Sequence, residues 1–279
     1  MAFITLFIIC TMVGAAGYHA ATKANATGEG KNVVFVYDSG YSTYVGIDKD
    51  PLYKALAEHY NVSVFDVKNF DSEVGTKFVE SLKYNDLVFL SEAISGTHKF
   101  GLKCKELVGN VPIVSLKSFF YTSGRWDWAT PVNPTKGASG WNKVKVNADY
   151  TQHPIFNGIT ISDDNTIALY DGSATNENNV QSFNSPKAVI ENDPILATNG
   201  ANGYSAIHEH QQADGKNGYI MIAMSSDAIS TITDDAKTLI LNAVDYEMAT
   251  GAEYTIPEQV ATPVITENNG TLTITCATE

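Results

Sequence analysis

Four short apolar runs, each separated from the next by a helix-length stretch, constrain this chain more than any other feature. Asn32–Tyr37 (NVVFVY) runs into Asp38-Ser39-Gly40. Asn61–Val67 (NVSVFDV) and Asp86–Leu90 (DLVFL) follow, and Val111–Leu116 (VPIVSL) is the fourth. Runs of this kind suit strands covered on both faces, which is the condition of a parallel sheet held between helices. Between the first two, Asp50-Pro51 supplies an N-cap and a proline at the first helical position, and Leu52, Leu56 and Tyr60 fall on one helical face. Gly75–Lys83 and Thr97–Val108 are the next expected helices. Strands joined in this way require right-handed crossovers.

The order of elements predicts an α/β fold with a flavodoxin-like, doubly wound, mainly parallel sheet. Ligands of such sheets lie at the carboxyl ends of the strands, where the winding reverses. After Trp128 the chain is loop-rich, with Pro131, Pro134, Gly137 and Gly140, and further strands are expected at Thr166–Tyr170, Ala188–Ile190, Ser205–His208 and Tyr219–Ala223. A last helix is capped by Thr233 and carries Asp234 and Asp235 at its positive end. Its apolar stripe is Ala236, Leu239, Ile240, Ala243 and Val244.

The two ends read differently. Ala2–Gly17 is apolar and too short for a good membrane span, and Ala24-Asn25-Ala26 has the small-x-small form of a signal-peptidase site. Residues 1–26 are therefore expected to be an export signal, 27–249 the α/β domain and 250–261 a linker. Residues 262–279 form an incomplete β segment, two short strands around Asn268-Asn269-Gly270 that open a β-sandwich cut short. The expected location is secreted or at the cell surface. Cys104 and Cys276 have neither disulfide-framework nor metal-ligand spacing and are read as packing residues.

A net charge of -13 disfavours nucleic acid and anionic lipid as partners. No membrane span is expected in the mature chain, and the sequence has no dinucleotide fingerprint or phosphate loop, so no cofactor is expected.

Three stretches resemble the class I glutamine amidotransferase-like superfamily, and within it the ThuA-like branch: DLVFLSEAISG at Asp86–Gly96, HPIFNGI at His153–Ile159, and the closing GYIMIAMSSD and LILNAVDYEM segments. The tail from Ala261 is similar to the start of a chitobiase C-terminal-like β-sandwich, as found on secreted proteins of Bacteroidetes type. In glutaminases of the superfamily, the strand corresponding to Val111–Leu116 ends in a tight elbow with a cysteine between glycines. The matching positions are Ser115-Leu116-Lys117-Ser118, where Lys117 stands near the place of the cysteine and no glycine flanks it. The thiol and the small neighbours are both missing, so glutaminase activity is not expected.

The densest chemical feature is Lys117–Trp128 (KSFFYTSGRWDW). It is expected either to offer a recognition surface, for a glycan or a cell-surface polymer, or to plug the end of the sheet. Asp38, Tyr41, Ser91, Glu92, Lys117, Ser118, Tyr121, Arg125, Trp126 and Trp128 are the candidate ligand-binding residues. Glu92 and Lys117 are also candidate catalytic residues, as carboxylate base and stabilising ammonium, with a structural ion pair as the alternative. His208 and His210 share one face of a predicted strand and could begin a metal site with Asp214 or Asp227, while His153 before Pro154 is expected to cap a turn. The functional expectation is an exported, non-catalytic binding or accessory module of a larger carbohydrate-related protein. A sugar-modifying hydrolase and a structural spacer are the alternatives.

Overall fold

The computed structural model describes residues 30–70, 79–135, 142–172, 180–200, 202–211 and 217–250, and the strands 264–268 and 271–275. The expected export signal, residues 251–261 of the expected linker, Asp214 and residues 75–78 of the helix expected at Gly75–Lys83 lie outside the described residues, while residues 79–82 are helical as expected and Thr250 ends the last helix.

The apolar runs become β1 (Asn32–Tyr37), β2 (Asn61–Asp66), β3 (Leu87–Leu90) and β4 (Ile113–Ser115). The later strands are β5 (Lys143–Val146), β6 (Thr166–Ala168), β7 (Ile195–Asn199), β8 (Ser205–Gln211) and β9 (Asn217–Ile222). All nine form one sheet in the order β2-β1-β3-β4-β9-β8-β7-β5-β6. The strands from β2 to β9 in that order pair in parallel, with the winding reversing between β1 and β3. This is the flavodoxin-like arrangement expected. Beyond β9 the pairing is antiparallel throughout, so the loop-rich region after Trp128 extends the same sheet. In a separate sheet, β10 (Val264–Asn268) pairs antiparallel with β11 (Thr271–Thr275).

The helices follow from local chemistry. In α1 (Pro51–His59) the Asp50 carboxylate accepts from the Leu52 and Tyr53 amides, and Leu52 and Leu56 are buried against the sheet. α2 (Lys99–Lys103) tightens into a 3-10 turn at Cys104–Leu107, where the buried Cys104 thiol packs with the core. α3 (Asp234–Thr250) begins under Thr233, whose hydroxyl accepts from the Ala236 amide, and its predicted apolar stripe is fully buried across β3, β4 and β9. Each fully buried Leu or Ile on that stripe contributes roughly 1.5–3 kcal/mol.

One expected strand is a turn. Ala188–Ile190 folds back through an amide-to-carbonyl bond from Ile190 to Lys187, and the bridge to this region is made by Pro186 with Ala129. β5 and β7 were not anticipated, although KVKV at Lys143–Val146 does alternate, with Val144 and Val146 buried.

Candidate functional site

The carboxyl ends of β1, β3 and β4 carry the residues expected to converge at the switch point, and three of them do. β4 hands the chain to Lys117, which is 1 % exposed. Its ammonium donates to Glu92 Oε1 at 2.6 Å, to the Glu92 carbonyl at 3.0 Å and to the Tyr41 hydroxyl at 3.1 Å. The Tyr41 and Phe119 rings lie 4.7 Å and 5.3 Å from the same nitrogen. Glu92, 6 % exposed, uses its second oxygen to accept the Ser226 amide at 2.9 Å. Ser226 in turn shares a hydrogen bond with Thr43.

An ammonium has three protons to donate, and here all three are taken. The backbone of Lys117 has φ -94° and ψ 89°. That lies outside the left-handed region, so the position is not a strained elbow.

The neighbouring candidates serve the backbone. Asp38 accepts from the Gly40 amide at 2.8 Å, and Ser91 Oγ accepts from the Ala93 amide at 3.1 Å. Ser118 is buried in the turn that follows Lys117. Sequence reasoning did not single out Thr43 or Ser226, because each lies far along the chain from the pair it supports.

The expected recognition surface is not formed by the tryptophans. Tyr121, Trp126 and Trp128 are 1 %, 0 % and 3 % exposed. The segment folds back on itself: the Trp126 amide donates to the Phe120 carbonyl and the Trp128 amide to that of Tyr121. Trp126 and Trp128, two residues apart, thereby share the inward side. Trp126 stacks on Phe120 with centroids 5.4 Å apart and donates its indole N–H to the Gly101 carbonyl at 2.8 Å, while Trp128 packs edge-on against Tyr121. Arg125 donates to the Val132 carbonyl and the Thr122 hydroxyl, and its guanidinium lies over Phe119. These aromatics plug the end of the sheet.

β8 has two chemically distinct faces. On one, His208 Nδ1 lies 2.8 Å from the Tyr121 hydroxyl, and His210 Nδ1 is paired with Asp193 Oδ2 at 2.5 Å. Burial pushes His208 down to about 4, so it is neutral at ordinary pH, and burial likewise drives the Tyr121 phenol well up. The acid beside the histidines is thus Asp193 rather than Asp227, which sits in the 3-10 turn Ser226–Thr231. Among the described residues, no group of three or more His, Cys, Asp or Glu side chains is arranged to hold a metal ion.

On the other face, Glu209 accepts from the Tyr246 hydroxyl at 3.1 Å and lies 3.4 Å from His153 Nε2. His153 also caps its turn through the Ile155 amide, as expected. Beside Glu209, the fully buried Glu247 carboxyl makes no hydrogen bond among the described residues, and burial together with Glu209 raises its pKa well above the ordinary value. No sequence motif flagged Glu247, since it occupies an inward position on an otherwise amphipathic helix.

A further cavity of about 180 Å³ opens beside the His208 face, between β8 and the chain from Phe183 to Ile195. No helix among the described residues is long and apolar enough to cross a membrane.

No family model matches the sequence, and no curated protein matches it. Among solved structures, the glutaminase domain of Trypanosoma brucei CTPS with bound acivicin is similar in shape. The TM-score is 0.44 at 12 % identity, covering 82 % of this chain and 97 % of that one.

Proposed function

We propose that the α/β domain is an exported, non-catalytic binding or accessory module of a larger carbohydrate-related surface protein, of glutamine amidotransferase-like, ThuA-like ancestry. The observation that carries the non-catalytic part is the state of Lys117. In the resemblance drawn from the sequence it stands near the place of the nucleophile. Here its nitrogen is buried, and its three hydrogen bonds all point inward, to Glu92 and Tyr41. A nucleophile or a base must reach the substrate, and the Lys117 nitrogen and the Glu92 carboxylate are both buried. Glu92 has both of its oxygens engaged. The pair supports a reading as a structural tie between the ends of β3 and β4.

Export is supported by the apolar Ala2–Gly17 run and the Ala24-Asn25-Ala26 site, and the carbohydrate association by the likeness of the tail to a chitobiase C-terminal-like module. The test has two arms on the purified full chain: release of ammonia from glutamine together with hydrolysis of aryl glycosides, and co-sedimentation with insoluble polysaccharides. The expected result is no turnover in the first arm and retention on at least one polymer in the second. Turnover that is abolished by Lys117→Met or Glu92→Gln in a folded variant would overturn the proposal.

A further inference from the structure

Two buried carboxyls meet where the last helix ends. Glu209 on β8 is 1 % exposed and Glu247 on α3 is 0 % exposed, and Tyr246, next to Glu247, donates its hydroxyl to Glu209 Oε1 at 3.1 Å. Glu209 Oε2 lies 3.4 Å from His153 Nε2, and the His153 ring meets that of Tyr246 edge-on with centroids 4.7 Å apart. Neither oxygen of Glu247 has a hydrogen-bond partner among the described residues. No lysine or arginine among them pairs with either acid.

Such a cluster cannot hold two negative charges. One imidazole can neutralise one carboxylate, and a second carboxylate would stand as a bare charge in a dry core, which costs far more than burying a neutral acid. The pair therefore keeps a proton while the helix is docked. The proton sits on Glu247, because the Glu209 oxygens are the ones already met by Tyr246 and His153. Burial, and then the Glu209 charge, accordingly hold Glu247 well above the usual carboxylate range. The other titratable groups facing the cluster are His153 from its 3-10 turn, Tyr246 on the same helix, and Tyr121, whose phenol is raised by burial and more weakly by Glu247.

We propose that the last turn of α3, residues 246–250, is a pH-operated latch, docked on β8 while the Glu209–Glu247 pair keeps its proton and released when the proton leaves. The earlier turns are held by other means. Asn242 donates to the Ile155 and Asn157 carbonyls at 3.0 Å and 2.8 Å, an anchor with no titrating group, and Asp245 accepts from the Tyr60 hydroxyl at 2.7 Å. Ala243 and Val244 are fully buried. The chain runs on from Thr250 toward β10, so the latch sets how firmly that junction is held.

The sign follows from where the proton is bound. Unwinding the turn brings Glu247 to water, where a glutamate titrates near pH 4.5. The docked form binds the extra proton, so docking is fully favoured below about pH 4.5. It weakens by up to about tenfold per pH unit as pH climbs toward the docked value.

Hydrogen exchange of the full chain from about pH 5 to about pH 9, corrected for the intrinsic pH dependence, compares the amides of residues 246–250 with those of 236–243. The ratio of their protection is expected to fall by about tenfold or more over that range in the parent. It is expected to stay flat in Glu247→Gln, and to fall less in Glu209→Gln, which removes the charge that helps to hold the proton. The ¹³C carboxyl signal of Glu247, identified by its loss in Glu247→Gln, is expected to titrate well above those of exposed glutamates.

A ratio that does not change with pH in the parent would overturn the latch without recourse to any variant. The same fall in Glu247→Gln, or a Glu247 carboxyl that titrates with the exposed glutamates, would overturn it as well. Loss of protection in both groups of amides together would show that the domain opens as a whole and would also refute a latch at this turn. The binding-module reading is untouched by any of these outcomes.

Discussion

Replacing Lys117 by Met tests the structural reading of the switch point most severely. Methionine keeps the length and most of the apolar contacts of the lysine stem against Tyr41 and Phe119 but removes the charge. What remains is Glu92, 6 % exposed, with the Ser226 amide as its surviving partner and its other oxygen facing an apolar group. Both side chains are almost wholly buried, so solvent screening does not soften the loss. Breaking a buried pair by removing one partner costs about 3–5 kcal/mol. For a domain of this size that corresponds to a fall in Tm of about 6–20 °C.

Adding Glu92→Gln to Lys117→Met removes the orphaned charge while keeping an acceptor for Ser226, and is expected to recover much of the loss. Urea titration and thermal melts of the parent, both single variants and the double variant complete the cycle. If Lys117→Met melts within about 1 kcal/mol of the parent, or the double variant is no better than the single, the pair is not the tie described here and the reasoning fails.

Two further outcomes follow from buried groups elsewhere. A Cβ on Gly101 would lie 2.3 Å from Cε1 of Phe120, the ring on which Trp126 stacks. Gly101→Ala is therefore expected to destabilise by about 1–3 kcal/mol, and Phe120→Leu in the same chain to relieve part of that strain; equilibrium unfolding of the three variants reads it. Glu247 is held protonated in the fold by burial and by Glu209, with its folded pKa above the unfolded one. The folded state then binds more protons, so this group's contribution is fully present below about pH 4.5 and is lost as pH rises toward the folded value. Glu247→Gln is expected to raise Tm at neutral and mildly alkaline pH and to match the parent near pH 4; a constant difference across pH would refute the assignment.

Much of the parallel half of the sheet was legible because its strands are short apolar runs bounded by turn residues, and burial on both faces leaves no other use for NVVFVY or DLVFL. The Asp50-Pro51 start of α1 and the Thr233 cap of α3 were legible for a local reason: the capping side chain and the amide it serves lie within three residues. β5 and β7 were harder to see, being short and paired with partners far along the chain. At the site, the convergence of Tyr41, Glu92 and Lys117 followed from strand order alone. The direction of the aromatics did not. Whether Trp126 and Trp128 face water or core depends on how their loop bonds to itself through Phe120 and Tyr121, and on Gly101 standing open to receive the Phe120 ring. Glu247 has no sequence signature at all, because a buried group left without a partner among the described residues is defined only by what fails to surround it.

The availability of the Lys117 amine is the most direct measure of the central claim that the switch point is closed and non-catalytic. Brief labelling of the folded full chain with an amine-reactive ester, followed by peptide mass spectrometry, ranks the lysines by reactivity. With its nitrogen buried and its three protons donated to Glu92 and Tyr41, Lys117 is expected to label last, far behind the exposed Lys54, and to react only when urea unfolds the chain. Labelling of Lys117 in the folded chain as fast as Lys54, or faster, would show a free and accessible amine and contradict the account.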